Sequence, residues 1–139
     1  MNRAVLDTNV LVSGLLSPSG PPAALLDEIA TGNLTPVYSD PIFEEYVEVL
    51  VRPALGLDPP AVLELLLLFA EVAEHVSPDR EVLSEITLTD FPDPDDLPFY
   101  AAAFAAHCPL VTGNLRHYPG GGPVEVLTPA ESIKILHKG

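Results

Sequence analysis

The sequence predicts an α/β fold, a three-layer sandwich in which a mainly parallel central sheet is flanked by helices. Two observations lead to this fold class. Short apolar runs alternate with helical segments along the chain, and polar residues able to hold a ligand follow where several of these runs end. Strand–helix alternation is typical of a parallel sheet, because parallel strands need a crossover connection and a helix usually supplies it.

The first half of the chain predicts two strands and four helices. Val37 and Tyr38 favour an extended strand, while Gly32 is suited to end the helix before it. Proline follows aspartate at residues 40–41 and again at residues 58–59, a pair typical of helix starts. The predicted strands are residues 3–6 and 34–39, and the predicted helices are residues 8–16, 23–31, 41–51 and 59–74.

The second half begins with residues 78–94, which are rich in acids and turn formers and are expected to be the least regular part of the chain. An alanine-rich helix is predicted after them, and Thr128 and Glu131 form a capping box that opens the final helix. The predicted elements are the helix of residues 97–106, the strands of residues 110–112 and 124–127, and a helix from residue 129 onward.

The charge of the chain argues at first against a nucleic-acid binder. Six Lys and Arg residues face 20 Asp and Glu residues, which gives a formal net charge of −14, whereas phosphate contacts normally come from clustered basic residues. Eleven of the acids lie between residues 58 and 96, where Arg80 is the only basic residue. Because charges are screened over about 8 Å, this concentration does not exclude RNA binding elsewhere on the chain.

Other classes are easier to exclude. A hydrophobic content of 47% is too high for a disordered acidic protein, and the length of 139 residues fits one domain. A single cysteine, Cys108, cannot form an intramolecular disulfide, so a reducing cytoplasm is expected. The most apolar stretch, residues 62–70, is far shorter than the roughly 18 residues of a membrane span.

Carboxylates and an amide fall at one edge of the expected sheet. Asp7 directly follows the first strand, Asn114 follows the strand of residues 110–112 after one glycine, and Glu44 lies one turn into the helix after the second strand. Ligands of open parallel sheets gather at the carboxyl ends of the strands. Asp96 reaches this edge if the helix that it precedes packs with its N-terminus there.

Three glutamates of the helix predicted over residues 41–51 compete for the site. We assign its apolar stripe to residues 43, 46, 47 and 50, which at about 100° per residue places Glu44 on the flank, Glu48 further out and Glu45 opposite. Glu44 is therefore expected to lean into the cleft. Carboxylates gathered in this way raise each other's pKa, and a bound Mg²⁺ or Mn²⁺ offsets their repulsion.

Five segments carry a family resemblance, in order along nearly the whole chain. Residues 5–11 read VLDTNVL, residues 39–44 SDPIFE, residues 93–101 DPDDLPFYA, residues 111–118 VTGNLRHY and residues 127–131 LTPAE. Together they resemble the signatures of the PIN-domain ribonucleases, and most closely those of the bacterial toxin-like proteins related to VapC toxins.

The resemblance implies a PIN-like (Rossmann-like) fold for a single domain over residues 1–139 and an endoribonuclease that cuts RNA with a water activated by Mg²⁺ or Mn²⁺. It places the catalytic acids on Asp7, Glu44 and Asp96, which with Asn114 are the expected metal ligands. The residues expected to support these ligands or to bind substrate are Asn9, Ser39, Asp93, Thr112 and Arg116.

The resemblance also implies partners. These are RNA as the substrate, a cognate antitoxin protein of a bacterial or archaeal type II toxin–antitoxin pair, and a second copy of the chain in a homodimer. The helix predicted over residues 59–74 agrees, since apolar residues cover most of its circumference. Such a helix is either buried inside the domain or an interface for an oligomer or antitoxin, and we favour the interface.

Two departures from the family pattern support an alternative. Many members carry Asp at the position of Asn114, and Leu97 fills a position next to the third acid that is often polar. With so few basic residues in the chain, these departures keep open a catalytically weak PIN fold that acts as a binding or scaffolding module.

Overall fold

The computed structural model describes residues 1–87 and 93–138. Its centre is a sheet of five parallel strands in the spatial order β3-β2-β1-β4-β5. The strands are β1 (Arg3–Leu6), β2 (Thr35–Tyr38), β3 (Glu74–His75), β4 (Leu110–Val111) and β5 (Val126–Leu127). The helices are α1 (Thr8–Leu16), α2 (Pro21–Ala30), α3 (Asp40–Leu50), α4 (Pro59–Val72), α5 (Arg80–Thr87), α6 (Leu97–Ala106) and α7 (Pro129–Lys138).

The first strand is the middle of the sheet. In β1, Val5 pairs with Val37 of β2 on one side and with Leu110 of β4 on the other. Its residues 4–6 are fully buried, as expected for a strand with neighbours on both edges and covered faces. The residue that follows this strand is therefore held by the central, fully buried strand of the sheet.

Helix α6 explains how a residue distant in sequence reaches the same edge. It is apolar nearly all round and packs against β1, β2, β4, α3 and α5. A helix that leads into a parallel strand runs against the direction of that strand, so its N-terminus lies at the carboxyl edge of the sheet. A short 3-10 turn, Pro94–Asp96, immediately precedes α6, and it brings Asp96 to that edge.

The predicted fold class, an α/β sandwich with a parallel central sheet, is confirmed. The predicted bounds of β1, α1 and α6 agree with the structure to the residue, and α2 begins two residues earlier than predicted because Pro21 and Pro22 occupy its first turn. The capping box is also present, since the backbone N–H of Thr128 donates to Glu131 and that of Glu131 donates to the Thr128 hydroxyl.

Two elements escaped the sequence prediction. Strand β3 has only two polar residues, paired with β2 alone, and so lacks the apolar run by which a strand is found. Helix α5 lies in the segment of residues 78–94 that was expected to be irregular, where Val82 and Ile86, one turn apart, face the interior. Residues 88–92 of that segment lie outside the described residues.

Helix α4 has two apolar faces, one buried and one exposed. Val62, Leu65 and Phe69 are buried in the core, whereas Leu63 and Leu67 are 58% and 60% exposed. One face of this helix is therefore buried inside the domain, and the expected interface on its exposed face remains a prediction. In the described part of the chain, no helix combines the length and the apolar content that a membrane crossing requires.

Candidate active site

An acidic cleft of about 640 Å³ opens beside the carboxyl edge of the sheet, between the start of α1, helix α3 and the turn before α6. Its acidic lining residues are Glu44, Glu45, Glu48, Asp93, Asp95 and Asp96. Among the described residues, Arg52 is the only basic one that lines the cleft, and it is paired with Glu48 at 3.1 Å. The cleft therefore carries a large excess of negative charge.

Asp7 lies at the end of β1, beside this cleft, and is only 6% exposed. Its side-chain hydrogen bonds all converge on Oδ2, which accepts from the Thr112 hydroxyl at 2.9 Å and from the Tyr118 hydroxyl at 3.0 Å. The Asn9 amide is a longer third donor at 3.5 Å. In the described part of the chain nothing donates to Oδ1, so this second oxygen remains available to a ligand.

The loop after β4 is tied to the loop after β1 by the same groups. The buried Thr112 hydroxyl accepts from the backbone N–H of Asn114 at 3.1 Å while it donates to Asp7. The side-chain oxygen of Asn9 accepts from the backbone N–H of Gly113 at 3.0 Å. These bonds join the carboxyl ends of two neighbouring strands into one rigid unit around Asp7.

Asp96 is the second buried acid of the site, 8% exposed. Burial and the nearby Asp7 carboxylate raise the pKa of Asp96 to about 6, and His117 partly opposes this shift. Among the described residues its buried Oδ2 accepts no hydrogen bond, although Nδ1 of His117 lies 3.3 Å away. A buried carboxylate oxygen without a donor favours a cation as its partner.

Of the two neighbouring glutamates of α3 that line the cleft, Glu45 is the more buried one. The buried stripe of α3 consists of Ile42, Tyr46 and Leu50, which rotates the helix relative to the stripe assigned from the sequence. Glu45 is consequently half-buried and accepts a hydrogen bond from Thr8, the residue after Asp7. Burial raises the pKa of Glu45, and the Asp7 charge adds to this effect. Glu44 lines the cleft only as an exposed side chain, so the expectation that it alone would lean inward is wrong.

Asn114, a predicted metal ligand, and Ser39, a predicted supporting residue, both lie away from the buried acids. Asn114 is exposed, and its amide nitrogen lies 2.8 Å from Nε2 of His117 rather than on an acid. Ser39 is buried at the start of α3 and lines a separate apolar groove with Leu97, away from the acidic cleft. Within the described chain, neither side chain forms a hydrogen bond or an ion pair with Asp7 or Asp96.

The remaining predicted residues have clear positions. Asp93 lines the cleft and caps the turn before α6 by accepting from the backbone N–H of Asp95 at 2.9 Å. Arg116 is exposed on the 3-10 turn Leu115–His117. Thr112 and Asn9 support Asp7, as described above.

Sequence reasoning passed over three contacts of the site: the hydroxyls of Thr8 and Tyr118 and the ring of His117. A signal existed for each of them, since Thr8 follows Asp7 directly and the other two close the segment of residues 111–118. None of these residue types is a strong metal ligand in this setting, so a search for clustered acids does not find them.

The donor set fits a hard divalent cation. Oδ1 of Asp7 and Oδ2 of Asp96 are both carboxylate oxygens free of donors in the described chain, and oxygen ligands are those that Mg²⁺ and Mn²⁺ prefer. Among residues 1–87 and 93–138, no three His, Cys, Asp or Glu side chains lie close enough to hold a metal ion by themselves. Mg²⁺ commonly uses one or two carboxylates and keeps several waters, so a pair of acids satisfies its needs.

Comparison with known proteins gives a consistent result. Residues 3–116 match the model of a family described as the PIN domain. VapBC-1 from nontypeable Haemophilus influenzae is 16% identical, with a TM-score of 0.63 over 92% of this chain and 98% of the other. DNA-bound VapBC from Salmonella typhimurium is 16% identical, with a TM-score of 0.63 over 93% and 99%.

FitAcB from Neisseria gonorrhoeae is 21% identical, with a TM-score of 0.56 over 91% of this chain and 98% of the other. At these identities the likeness to solved structures establishes the fold. No curated protein sequence matches the chain.

Proposed function

The chain belongs to the PIN-domain family, and from this premise we propose that residues 1–139 form one domain that acts as a Mg²⁺- or Mn²⁺-dependent endoribonuclease. We further propose that it is the toxin component of a bacterial or archaeal type II toxin–antitoxin pair and works in the cytoplasm. One observation carries the enzymatic proposal: Asp7 and Asp96, from distant parts of the chain, are both buried, and Asp96 lines the same cleft as Thr8 and Asn9, the residues that follow Asp7.

In this proposal Asp7 and Asp96 hold the cation, and Asn114 serves at most through an intervening water. When bound, the cation lowers the pKa of a coordinated water and offsets the charge that builds on the phosphoryl oxygens. Glu45, with its raised pKa, is suited to accept the proton of the attacking water. Thr112 and Tyr118 hold the Asp7 carboxylate in place by donating to its Oδ2.

The acidity of the cleft shapes how RNA would bind. A phosphodiester entering a groove lined by six acids is repelled until the cation is present, so substrate binding is expected to depend on the metal. Arg52 at the cleft and Arg116 on the neighbouring turn are the basic residues placed to contact flanking phosphates. This pattern supports slow or highly selective cleavage rather than general RNA degradation.

We propose an antitoxin protein and a second copy of the chain as protein partners. The solved structures with the same fold include VapBC proteins. On this chain, the exposed Leu63 lines an apolar groove of about 410 Å³ that also includes Val51 and Leu57, and Leu67 is exposed on the same helix. Apolar surface of this kind supports a protein interface.

The decisive experiment is cleavage of a structured RNA with Mn²⁺ or Mg²⁺ by the wild type and by Asp7→Asn. We expect the variant to lose at least about 100-fold in rate, because the neutral amide no longer holds the cation. Asp27→Asn, an exposed acid on α2, is the matched control and should cleave like the wild type. Equal cleavage by the wild type and Asp7→Asn, or cleavage that survives EDTA, would contradict the proposal.

The alternative, a catalytically weak binding module, has one observation in its favour. Asn114 contributes no charge and turns toward His117, so the site gathers fewer anionic ligands than a four-acid arrangement would. If the wild type binds RNA without cleaving it at any Mn²⁺ concentration, this alternative is supported instead.

A further inference from the structure

Two consecutive residues contact the two buried acids of the site. His117 ends the 3-10 turn Leu115–His117, and Tyr118 follows it. Tyr118 donates to Asp7 at the end of β1, and His117 lies against Asp96 at the start of α6. One short turn therefore touches two carboxylates that belong to elements distant in the chain.

The contact of Tyr118 is directional. The phenol is 5% exposed, and its hydroxyl donates to Oδ2 of Asp7, the oxygen that Thr112 also contacts. Burial and the charges of Asp7 and Asp96 raise the pKa of Tyr118, so the hydroxyl keeps its proton and remains a donor. With Oδ2 held on one side by two hydroxyls, the orientation of the whole carboxylate is set and Oδ1 is left open.

The contact of His117 is also oriented. Its ring is held from behind, because Nε2 lies 2.8 Å from the Asn114 side-chain amide nitrogen. Its Nδ1 lies 3.3 Å from Oδ2 of Asp96, a polar contact without hydrogen-bond geometry. Asn114 is exposed and contacts neither acid directly, but it is linked to the site through His117.

We propose that His117 and Tyr118 are positioning residues, and that their turn sets the separation and orientation of Asp7 and Asp96 for the divalent cation. The inference rests on the proposed metal-dependent function and adds residues that act through the acids rather than on the substrate. Groups that orient metal-binding carboxylates change metal affinity when they are removed, typically by about 10–100-fold.

The test measures Mn²⁺ binding directly, by calorimetry and by the loss of the free-ion signal in electron paramagnetic resonance. Tyr118→Phe and His117→Ala should each weaken Mn²⁺ binding about 10-fold or more. His117→Asn should stay within about threefold of the wild type, because an amide nitrogen can occupy the position of Nδ1. The rescue distinguishes a positioning contact from simple packing.

The matched control is Tyr46→Phe. Tyr46 is a buried tyrosine whose hydroxyl donates to the backbone carbonyl of Leu6 and to no acid, so its loss removes a comparable hydrogen bond without touching a carboxylate. We expect a similar drop in thermal stability for Tyr46→Phe and Tyr118→Phe, with weakened Mn²⁺ binding in the second alone.

The outcomes separate this inference from the proposed function. If the wild type binds Mn²⁺, Asp7→Asn does not, and both Tyr118→Phe and His117→Ala bind as tightly as the wild type, the inference is overturned and the proposed function stands. If Tyr46→Phe weakens binding as much as Tyr118→Phe, the effect is general destabilisation and the inference is again overturned. A wild type that binds no Mn²⁺ overturns the proposed function together with the inference.

Discussion

The two sides of the cleft are built in opposite ways. On the strand side, Asp7 is surrounded by donors from Asn9, Thr112 and Tyr118, and two loops are tied together around it. On the helix side, Asp96 is buried and Glu45 is half-buried next to other acids, and Oδ2 of Asp96 accepts no hydrogen bond within the described chain. Oδ2 of Asp7 is thus held by hydrogen bonds without any ligand, whereas the acids of the helix side repel one another.

This difference gives the two sides different expected roles in binding a cation. In the proposed metal site, the strand side would supply a rigid ligand, since its carboxylate is already fixed by hydrogen bonds. The helix side would supply the free energy of binding, because a cation there would relieve repulsion that the folded protein otherwise carries. Changes on the two sides should therefore have opposite effects on stability while both reduce activity.

Within this comparison, the largest expected effect is on RNA cleavage, and it depends on which glutamate of α3 the rotation of the helix turns toward the cleft. Glu45→Gln should lower kcat/KM by about 10–100-fold, because it removes the proton acceptor that Thr8 holds at the cleft. Glu44→Gln should stay within about threefold of the wild type, since Glu44 is exposed. The measurement is RNA cleavage at saturating Mn²⁺ for the two variants side by side.

The two substitutions affect adjacent residues and make the same chemical change, so each controls for the loss of one negative charge from the cleft. A larger effect from Glu44→Gln than from Glu45→Gln would return the catalytic role to the residue first expected from the sequence.

The next effect is on stability, and it tests the hydrogen bonds of the strand side. Thr112→Val keeps the shape of a fully buried side chain but removes a hydroxyl that donates to Asp7 and accepts from the Asn114 backbone. It should lower the free energy of unfolding by about 1–3 kcal/mol, because buried polar groups lose their partners. Urea denaturation of the metal-free protein measures this loss. An unchanged midpoint would show that the strand side is not held by these bonds.

The smallest expected effect is a gain in stability when the Asp96 carboxylate is removed, and this gain depends on pH. The pKa of Asp96 is raised in the folded protein to about 6, from an ordinary value of 3.8, so folding disfavours its ionised form. The groups that face it are Asp7, Asp93, Glu45 and His117. The cost of this charge is fully present above about pH 6, shrinks as the pH falls, and vanishes below the unfolded-state pKa.

Asp96→Asn should therefore stabilise the metal-free protein at pH 8 by about 1–2 kcal/mol, a rise of about 3–6 °C in Tm, and should do so less as the pH approaches 4. Differential scanning calorimetry at pH 8 and pH 4.5 checks both the sign and its pH dependence. With saturating Mn²⁺ the order should reverse, since the variant loses a ligand. A destabilised variant at pH 8 without metal would contradict the comparison of the two sides.

The sequence was sufficient for the parts of this molecule that repeat a regular pattern. The apolar runs identified β1 and β4, and the rule that ligands gather at strand ends led to Asp7. The buried stripe of α3 was assigned wrongly because this helix has apolar residues at positions 42, 43, 46, 47, 49 and 50, which allow more than one buried stripe. Packing against the sheet decides among them, and that packing depends on the other elements.

The contacts of Tyr118 and His117 were beyond sequence reasoning for a different reason. They depend on the path of a short 3-10 turn, and local patterns do not specify where such a turn points. Likewise, β3 exists because β2 offers it an edge, and its own two residues carry no signal.

The long separation of the site residues along the chain has a consequence for biosynthesis. The hydrogen bonds to Asp7 from Thr112 and Tyr118 span 105 and 111 residues, so the N-terminal acid waits for its partners until most of the chain has been made. Contacts of such high sequence separation form late, after the loops between them have closed. Under the proposed function, a ribosome translating the message would therefore carry an N-terminal fragment without an assembled site, and RNA cleavage would become possible only once the turn of residues 115–118 has emerged and docked.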